Sequence, residues 1–271
     1  MSVYTTPAGE ISVSSLQRMK RDGRSIAAMT AYEASFARVL DGAGMDVVLV
    51  GDSLGEVVQG GDTTLPVTVD DMVYHTRAVR RGVQRALVMA DLPFLSFTTP
   101  EVALASAGRL LQEAGAQMVK LEGGSAQVAT VQRLNECGIP VCAHLGLKPQ
   151  SVHKIGGYRI QGRDEASARA MREDALALEA AGADAVLLEC VPARLAREIA
   201  ERLEVAVIGV GSGPDCDGQI LVMHDALGVT PRPPAFARDF LAEAGGVAQA
   251  VERYVEHVRE RRFPGAAETV E

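Results

Sequence analysis

Eight short apolar runs recur along the chain, at 26–31, 47–51, 86–91, 118–122, 140–144, 185–189, 205–210 and 220–223, with helical patterns between them. Most are rich in Val, Leu and Ile, and all are too short to be buried helices. They are near-continuous rather than alternating, which is the pattern of parallel strands covered on both faces. The intervening stretches carry helix punctuation. Thr68-Val-Asp-Asp71 reads as a capping box with Asp in place of the usual Glu. Thr99-Pro100 sets a cap residue before a proline at the first helical position. Gly44, Gly115, Gly138 and Gly182 each close a helical pattern and lead into an apolar run. Glycine tolerates the left-handed backbone that ends a helix. Strand and helix thus alternate about eight times, which predicts an α/β fold with a parallel sheet.

The length of 271 residues suits a (β/α)8 TIM-type barrel. We expect one domain over 1–271, with an N-terminal extension over 1–15, a C-terminal helical segment and a mobile tail over 264–271. The rival is an open doubly wound sheet. Against it, the first run is followed by Thr30-Ala-Tyr-Glu-Ala-Ser35 and not by a Gly-x-Gly-x-x-Gly turn. Residues 148–164 form a long irregular connection, and 229–235, with three prolines, reads as a linker into the last helical segment.

Composition removes several function classes. Lys and Arg number 27 against 35 Asp and Glu, giving a net charge of −8, and aromatics are 4% with no Trp. Nucleic acid wants a basic face, so it is not an expected partner. Cys137, Cys142, Cys190 and Cys216 form no Cys-x-x-Cys pair, which argues against a zinc site or a disulfide framework. No apolar run approaches the roughly 20 residues that span a bilayer. The first ten residues lack the basic-then-apolar pattern of a signal peptide. The expectation is a cytoplasmic protein with no membrane partner.

In a parallel α/β fold, ligands bind beyond the carboxyl ends of the strands. The runs end in Asp52-Ser53, Asp91, Lys120-Leu-Glu122, His144 and Glu189. Counted from the helix-closing glycine, Asp52, Glu122 and Glu189 fall 8, 7 and 7 positions on. A carboxylate after an apolar run is costly to bury without a partner. Lys120 and Glu122, two apart, project from the same side of one strand. Any one of these acids fits a structural ion pair at the rim. Four of them with Lys120 point to a site. Oxygen ligands without Cys or paired His select a hard cation, magnesium, calcium or manganese.

Other residues stay open at this level. His144 fits a ligand contact or a structural hydrogen bond. His75 and His257 read as surface residues and His224 as structural. The stretch 209–213, Gly-Val-Gly-Ser-Gly, fits an anion cradle or a tight turn. Lys148, Lys154, Arg159 and Arg163 fit contact with an anion or a solvated loop.

Several longer motifs resemble one family. Val50-Gly-Asp-Ser53, Thr64-Leu-Pro-Val-Thr68, Ala90-Asp-Leu-Pro-Phe94, Val119-Lys-Leu-Glu-Gly-Gly124, His144-Leu-Gly-Leu147, Pro149-Gln-Ser-Val152, Leu188-Glu-Cys-Val-Pro192 and Asp217-Gly-Gln-Ile-Leu-Val222 look like ketopantoate (3-methyl-2-oxobutanoate) hydroxymethyltransferases, over about 16–264. The resemblance implies a (β/α) barrel that moves a hydroxymethyl group from 5,10-methylenetetrahydrofolate to 3-methyl-2-oxobutanoate. The product is 2-dehydropantoate, on the path to pantothenate and coenzyme A. It implies one Mg2+ per subunit on Asp52 and Asp91, with Glu122 completing the site. It implies the oxo acid held by Asp52, Ser53, Asp91 and Lys120, Glu189 as the base, and a homodecamer. Two departures stand out. Glu33 replaces an expected Asp after Thr-Ala-Tyr, and the loop at 162–165 is one glycine short of Gly-Arg-Gly-Asp-Glu.

Three alternatives remain at this stage. One is a metal-dependent lyase or phosphonomutase-type barrel acting on another 2-oxo acid. Another is a Schiff-base aldolase using Lys120. The third is a non-catalytic binding or assembly protein.

Overall fold

A computed structural model describes residues 9–157 and 159–270. The first eight residues of the expected N-terminal extension lie outside them. The strands are β1 (Ile26–Thr30), β2 (Val47–Val50), β3 (Leu87–Asp91), β4 (Met118–Glu122), β5 (Val141–Gly146), β6 (Ala185–Glu189), β7 (Ala206–Val210) and β8 (Gly218–Leu221). They close into a parallel barrel in sequence order, β8 pairing back with β1. Helix α1 (Val13–Arg21) precedes the barrel, and α2 (Ala34–Gly42) joins β1 to β2. Next come α3 (Leu54–Val57), α4 (Val69–Arg80), α5 (Pro100–Gln112) and α6 (Val128–Glu136). Then follow α7 (Val152–Ile155), α8 (Glu165–Ala180) and α9 (Ala193–Arg202), with α10 (Met223–Ala226) and α11 (Val247–Arg259) after β8.

The expected punctuation is present. Thr68 Oγ1 accepts from Asp71 N at 3.1 Å while Asp71 Oδ2 accepts from Thr68 N at 2.9 Å. Thr99 Oγ1 accepts from Val102 N, with Pro100 opening the helix. Glu33 caps α2, accepting from Ser35 N and Phe36 N at 2.7 and 2.6 Å. The longer acid therefore does the capping work available to an Asp at that place.

Two details differ from the sequence pattern. The last strand begins at Gly218, two residues before the expected run, because Gly218-Gln219 dilutes its apolar signal and Val222-Met223 extends it into α10. No helix separates β7 from β8. Residues 211–217 make that return, and Gly218 pairs with Ile208 partway along β7.

Alternate side chains on each strand face the barrel interior. Val47, Leu49, Leu87, Met89, Met118, Cys142, Ala185, Leu187, Ala206, Ile208 and Ile220 form this inner core, with Leu16 and Met19 of α1 packed on it. Their neighbours, such as Val48, Val88, Val119, Val186 and Val207, face the helices in a second core. Both faces are buried, which explains the unbroken apolar runs.

The join between β1 and β8 is covered by α11. Tyr254 of that helix is fully buried, and its hydroxyl lies 2.9 Å from Ala28 O and 3.0 Å from Gln219 O. Phe240 and Phe263 pack on its ring at centroid distances of 5.3 and 5.7 Å. The stretch 264–271, expected as a mobile tail, has an anchor at Glu268. This residue is buried and takes two hydrogen bonds from Arg238, at 2.8 and 2.9 Å. The partner lies 30 positions earlier, beyond any local pattern.

Candidate active site

The inward parity of the strands carries through to their carboxyl ends. On β3 it runs Leu87, Met89, Asp91; on β4, Met118, Lys120, Glu122; on β6, Ala185, Leu187, Glu189. Hydrocarbon fills the lower levels and ionisable groups the top. Register then sets Asp91 beside Lys120, Glu122 beside His144, and Gly146 beside Glu189. A slip of one residue would turn every one of these groups outward.

Asp52, Asp91, Lys120, Glu122 and His144 are all buried, and the Glu189 side chain is 17% exposed. Lys120 Nζ lies 2.7 Å from Asp91 Oδ1 and 3.3 Å from His144 Nδ1. Asp91 Oδ2 accepts from Asp52 N at 3.1 Å. His144 Nδ1 is 3.7 Å from Glu122 Oε1, and Nε2 is 3.3 Å from Glu189 Oε2. Ser53 Oγ and Tyr32 Oη are hydrogen-bonded at 2.8 Å. The structure thus brings all six sequence-predicted residues, Asp52, Ser53, Asp91, Lys120, Glu122 and Glu189, to one end of the barrel.

One glycine sets how closely β5 approaches Glu189. Gly146 has φ +94°, and a Cβ there would lie 2.2 Å from Glu189 O. Only a residue without a side chain lets β5 end this close to the Glu189 backbone.

Burial and the adjacent Asp91 push the Asp52 carboxyl up to about 7. Burial holds Glu122 well above the usual carboxylate range. It pushes Glu189 up to about 7, although Lys120 pulls the other way. Burial opposes charge on Lys120 too, but Asp91, Glu122 and Asp52 together outweigh it, so the group stays an ammonium. His144 is held well below its ordinary value by burial and by Lys120, and is therefore neutral. An ammonium can only donate, so His144 Nδ1 is the acceptor and Nε2 carries the proton. That N–H is on the side of Glu189. An ammonium is not a nucleophile, which argues against a Schiff base on Lys120.

Among the described residues, no three Cys, His, Asp or Glu side chains already converge as a metal cage. The donor set still fits a hard cation. Asp52, Asp91 and Glu122 crowd around one lysine, and two of them are pushed toward protonation by burial and mutual repulsion. Magnesium needs only one or two such carboxylates, with water and substrate filling its other positions.

Other candidates resolve differently. Ser212 Oγ donates to Leu188 O and accepts from Val191 N, and a Cβ at Gly211 would lie 2.8 Å from Phe236. The stretch 209–213 is thus a packed turn. His75, expected at the surface, is half-buried with Nδ1 2.7 Å from Tyr32 O. His257, likewise expected at the surface, is half-buried beside Arg238 and Phe240. Lys154, Arg159 and Arg163 are exposed. Sequence reasoning did not single out Gln150, whose side chain donates to Asp52 Oδ2 at 2.8 Å. Its one signal was membership of the Pro149-Gln-Ser-Val152 motif.

Comparison with known proteins separates fold from family. Solved barrels share the fold at low identity. A phosphonomutase-like protein from Burkholderia cenocepacia aligns with TM-score 0.62 at 18% identity, covering 80% of this chain and 93% of its own. Phosphonopyruvate hydrolase, solved with oxalate and Mg2+, aligns with TM-score 0.61 at 15% identity, covering 95% and 93%. Sequence relatives are far nearer. The 3-methyl-2-oxobutanoate hydroxymethyltransferase of Halorhodospira halophila is 63% identical over 95% of this chain and 94% of its own length. That of Alkalilimnicola ehrlichii is 60% identical over 95% and 93%. The family profile described as ketopantoate hydroxymethyltransferase matches residues 10–266, which takes in every strand and each of the clustered acids. The chain is an enzyme of the ketopantoate hydroxymethyltransferase family.

Proposed function

We propose that this barrel transfers a hydroxymethyl group from 5,10-methylenetetrahydrofolate to 3-methyl-2-oxobutanoate, giving 2-dehydropantoate for pantothenate synthesis. The observation that carries the reading is the layer of Asp91, Lys120, Glu122, His144 and Glu189 above an apolar barrel core. Asp52 and Asp91, with Glu122, would hold Mg2+. When bound, the ion supplies Lewis-acid stabilisation of the negative charge that develops on the oxo acid, worth several kcal/mol.

The chain's own residues do the rest. Asp52, Ser53, Asp91 and Lys120 hold the oxo acid, and the Lys120 ammonium neutralises its carboxylate and fixes its orientation. Glu189 takes the proton from C3. Burial tunes it to about 7, where a carboxylate is a stronger base than in water yet ionised near neutral pH. The neutral His144 places its Nε2 3.3 Å from Glu189 Oε2, close to that base. C3 then bonds to the one-carbon unit, both bonds from that carbon to the folate nitrogens break, and water supplies the hydroxyl. The proton held by Glu189 goes to one of the released nitrogens, and the proton shed by the attacking water goes to the other.

The reading includes a homo-oligomer, a decamer by family resemblance, and a cytoplasmic location. Among the described residues no helix is long and apolar enough to cross a membrane. The test is consumption of methylenetetrahydrofolate that requires both 3-methyl-2-oxobutanoate and magnesium. Full turnover in chelator rejects the cation's role. Turnover of another 2-oxo acid without folate favours a lyase or mutase.

A further inference from the structure

The connection after β5 enters the acidic cluster through one side chain. Gln150 sits in a short helical turn, Pro149–Ser151, and is 6% exposed. Its Nε2 donates to Asp52 Oδ2 at 2.8 Å and to Leu92 O at 3.0 Å. Its backbone N donates to Glu122 Oε2 at 3.2 Å. One neutral residue therefore ties the ends of β2, β3 and β4 together. The amide's orientation follows from its partners. Leu92 O can only accept and Asp52 presents a carboxylate oxygen, so Nε2 and not Oε1 must face them. Oε1 is left buried with no hydrogen-bond partner. Leaving such an acceptor unpaired is unfavourable. It marks a place for an O–H donor that arrives with a ligand.

We propose that Gln150 is a positioning residue of the cation site. It holds Asp52 and Glu122 in the orientation a hydrated divalent cation needs, and its Oε1 accepts an O–H that comes with that cation. A neutral amide suits the task. A lysine or arginine here would neutralise Asp52 and compete with the ion, and a carboxylate would repel Asp52 until the ion came. The inference rests on the metal reading above. Gln150 acts through Asp52 and Glu122, so its removal affects cation affinity more than the chemical step.

The test is calorimetric titration with Mg2+ of the full chain, the Gln150→Leu variant and the Gln150→Glu variant. Unfolding midpoints in chelator and in saturating Mg2+ accompany it. The expected result for Gln150→Leu is Mg2+ binding weakened by about 10–100-fold, the usual effect of losing a group that orients metal ligands. Its kcat at saturating Mg2+ should stay within a few-fold. Gln150→Glu should unfold at lower temperature in chelator and gain more from Mg2+ than the unaltered chain. Binding by Gln150→Leu within twofold of the unaltered chain overturns the proposal. Should that variant fail to fold, a Mg2+-dependent rise in Gln150→Glu no larger than in the unaltered chain overturns it equally. No Mg2+ binding by the unaltered chain defeats the metal reading itself, which separates the two failures.

Discussion

Replacing Lys120 by Met removes a buried cation and keeps the side chain's length. The lysine lies 2.7 Å from Asp91, and Asp52 and Glu122 also act on its charge. At that separation one pair is worth about 6 kcal/mol at an effective dielectric of about 20. Desolvation offsets part of this, and breaking a buried pair costs about 3–5 kcal/mol in practice. Stabilities of about 5–15 kcal/mol are typical, so a large share would go. For a chain of this size the midpoint of thermal unfolding should fall by roughly 6–20 °C. The pH dependence gives the sharper check. Asp52 and Glu122 have raised folded pKa values, so their contribution is present at acid pH and fades as pH rises through those values. Losing Lys120 raises both further, so Lys120→Met should lose stability between pH 5 and 8 more steeply than the unaltered chain. The measurement is urea unfolding in chelator at both pH values. A deficit under about 1 kcal/mol, or one equal at pH 5 and pH 8, would refute the reasoning, because the acids would then not depend on Lys120 for charge compensation.

Three further outcomes follow from the same geometry. Glu189→Gln should still bind 3-methyl-2-oxobutanoate but exchange its C3 proton with deuterated water at least about 100-fold more slowly, and normal exchange by NMR removes Glu189 as the base. In the unaltered chain that exchange should rise about tenfold per pH unit up to about 7 and then level, since Glu189, as the proposed base, must be ionised to act; a rate that falls with pH contradicts this. Gly146→Ala should lower stability by at least about 1–2 kcal/mol from the left-handed backbone alone, and should slow exchange because the new methyl meets Glu189 O; an unchanged melting curve counts against the close approach.

Much of this arrangement was readable from the chain because it rests on local periodicities. Glycines closed the helices, with Gly44, Gly115, Gly138 and Gly182 at φ +88°, +78°, +74° and +99°. Period-two parity then placed Lys120 and Glu122 on one side of β4. What was not readable depends on contacts between distant segments. Gln150 meets Asp52 across 98 positions, and an uncharged residue in an irregular loop leaves no pattern to follow. The tautomer of His144 needed the position of Lys120 Nζ, 24 residues away. The anchoring of Glu268 by Arg238 and the start of β8 at Gly218 failed to show for the same reason: apolar runs report burial, and neither feature is an apolar run.

The hydroxyl of Tyr254 reaches carbonyls on both the first and the last strand, so the seam where the ring closes is braced by a helix made after every strand. β8 pairs with β1 directly, so α11 closes no strand edge; it covers the apolar outer face of that seam, which stays bare until the helix has been made. A stop codon just before Tyr254 would leave all eight strands present and the clasp missing. Such a product should need a chaperone, or precipitate, although no residue of its catalytic end had been lost.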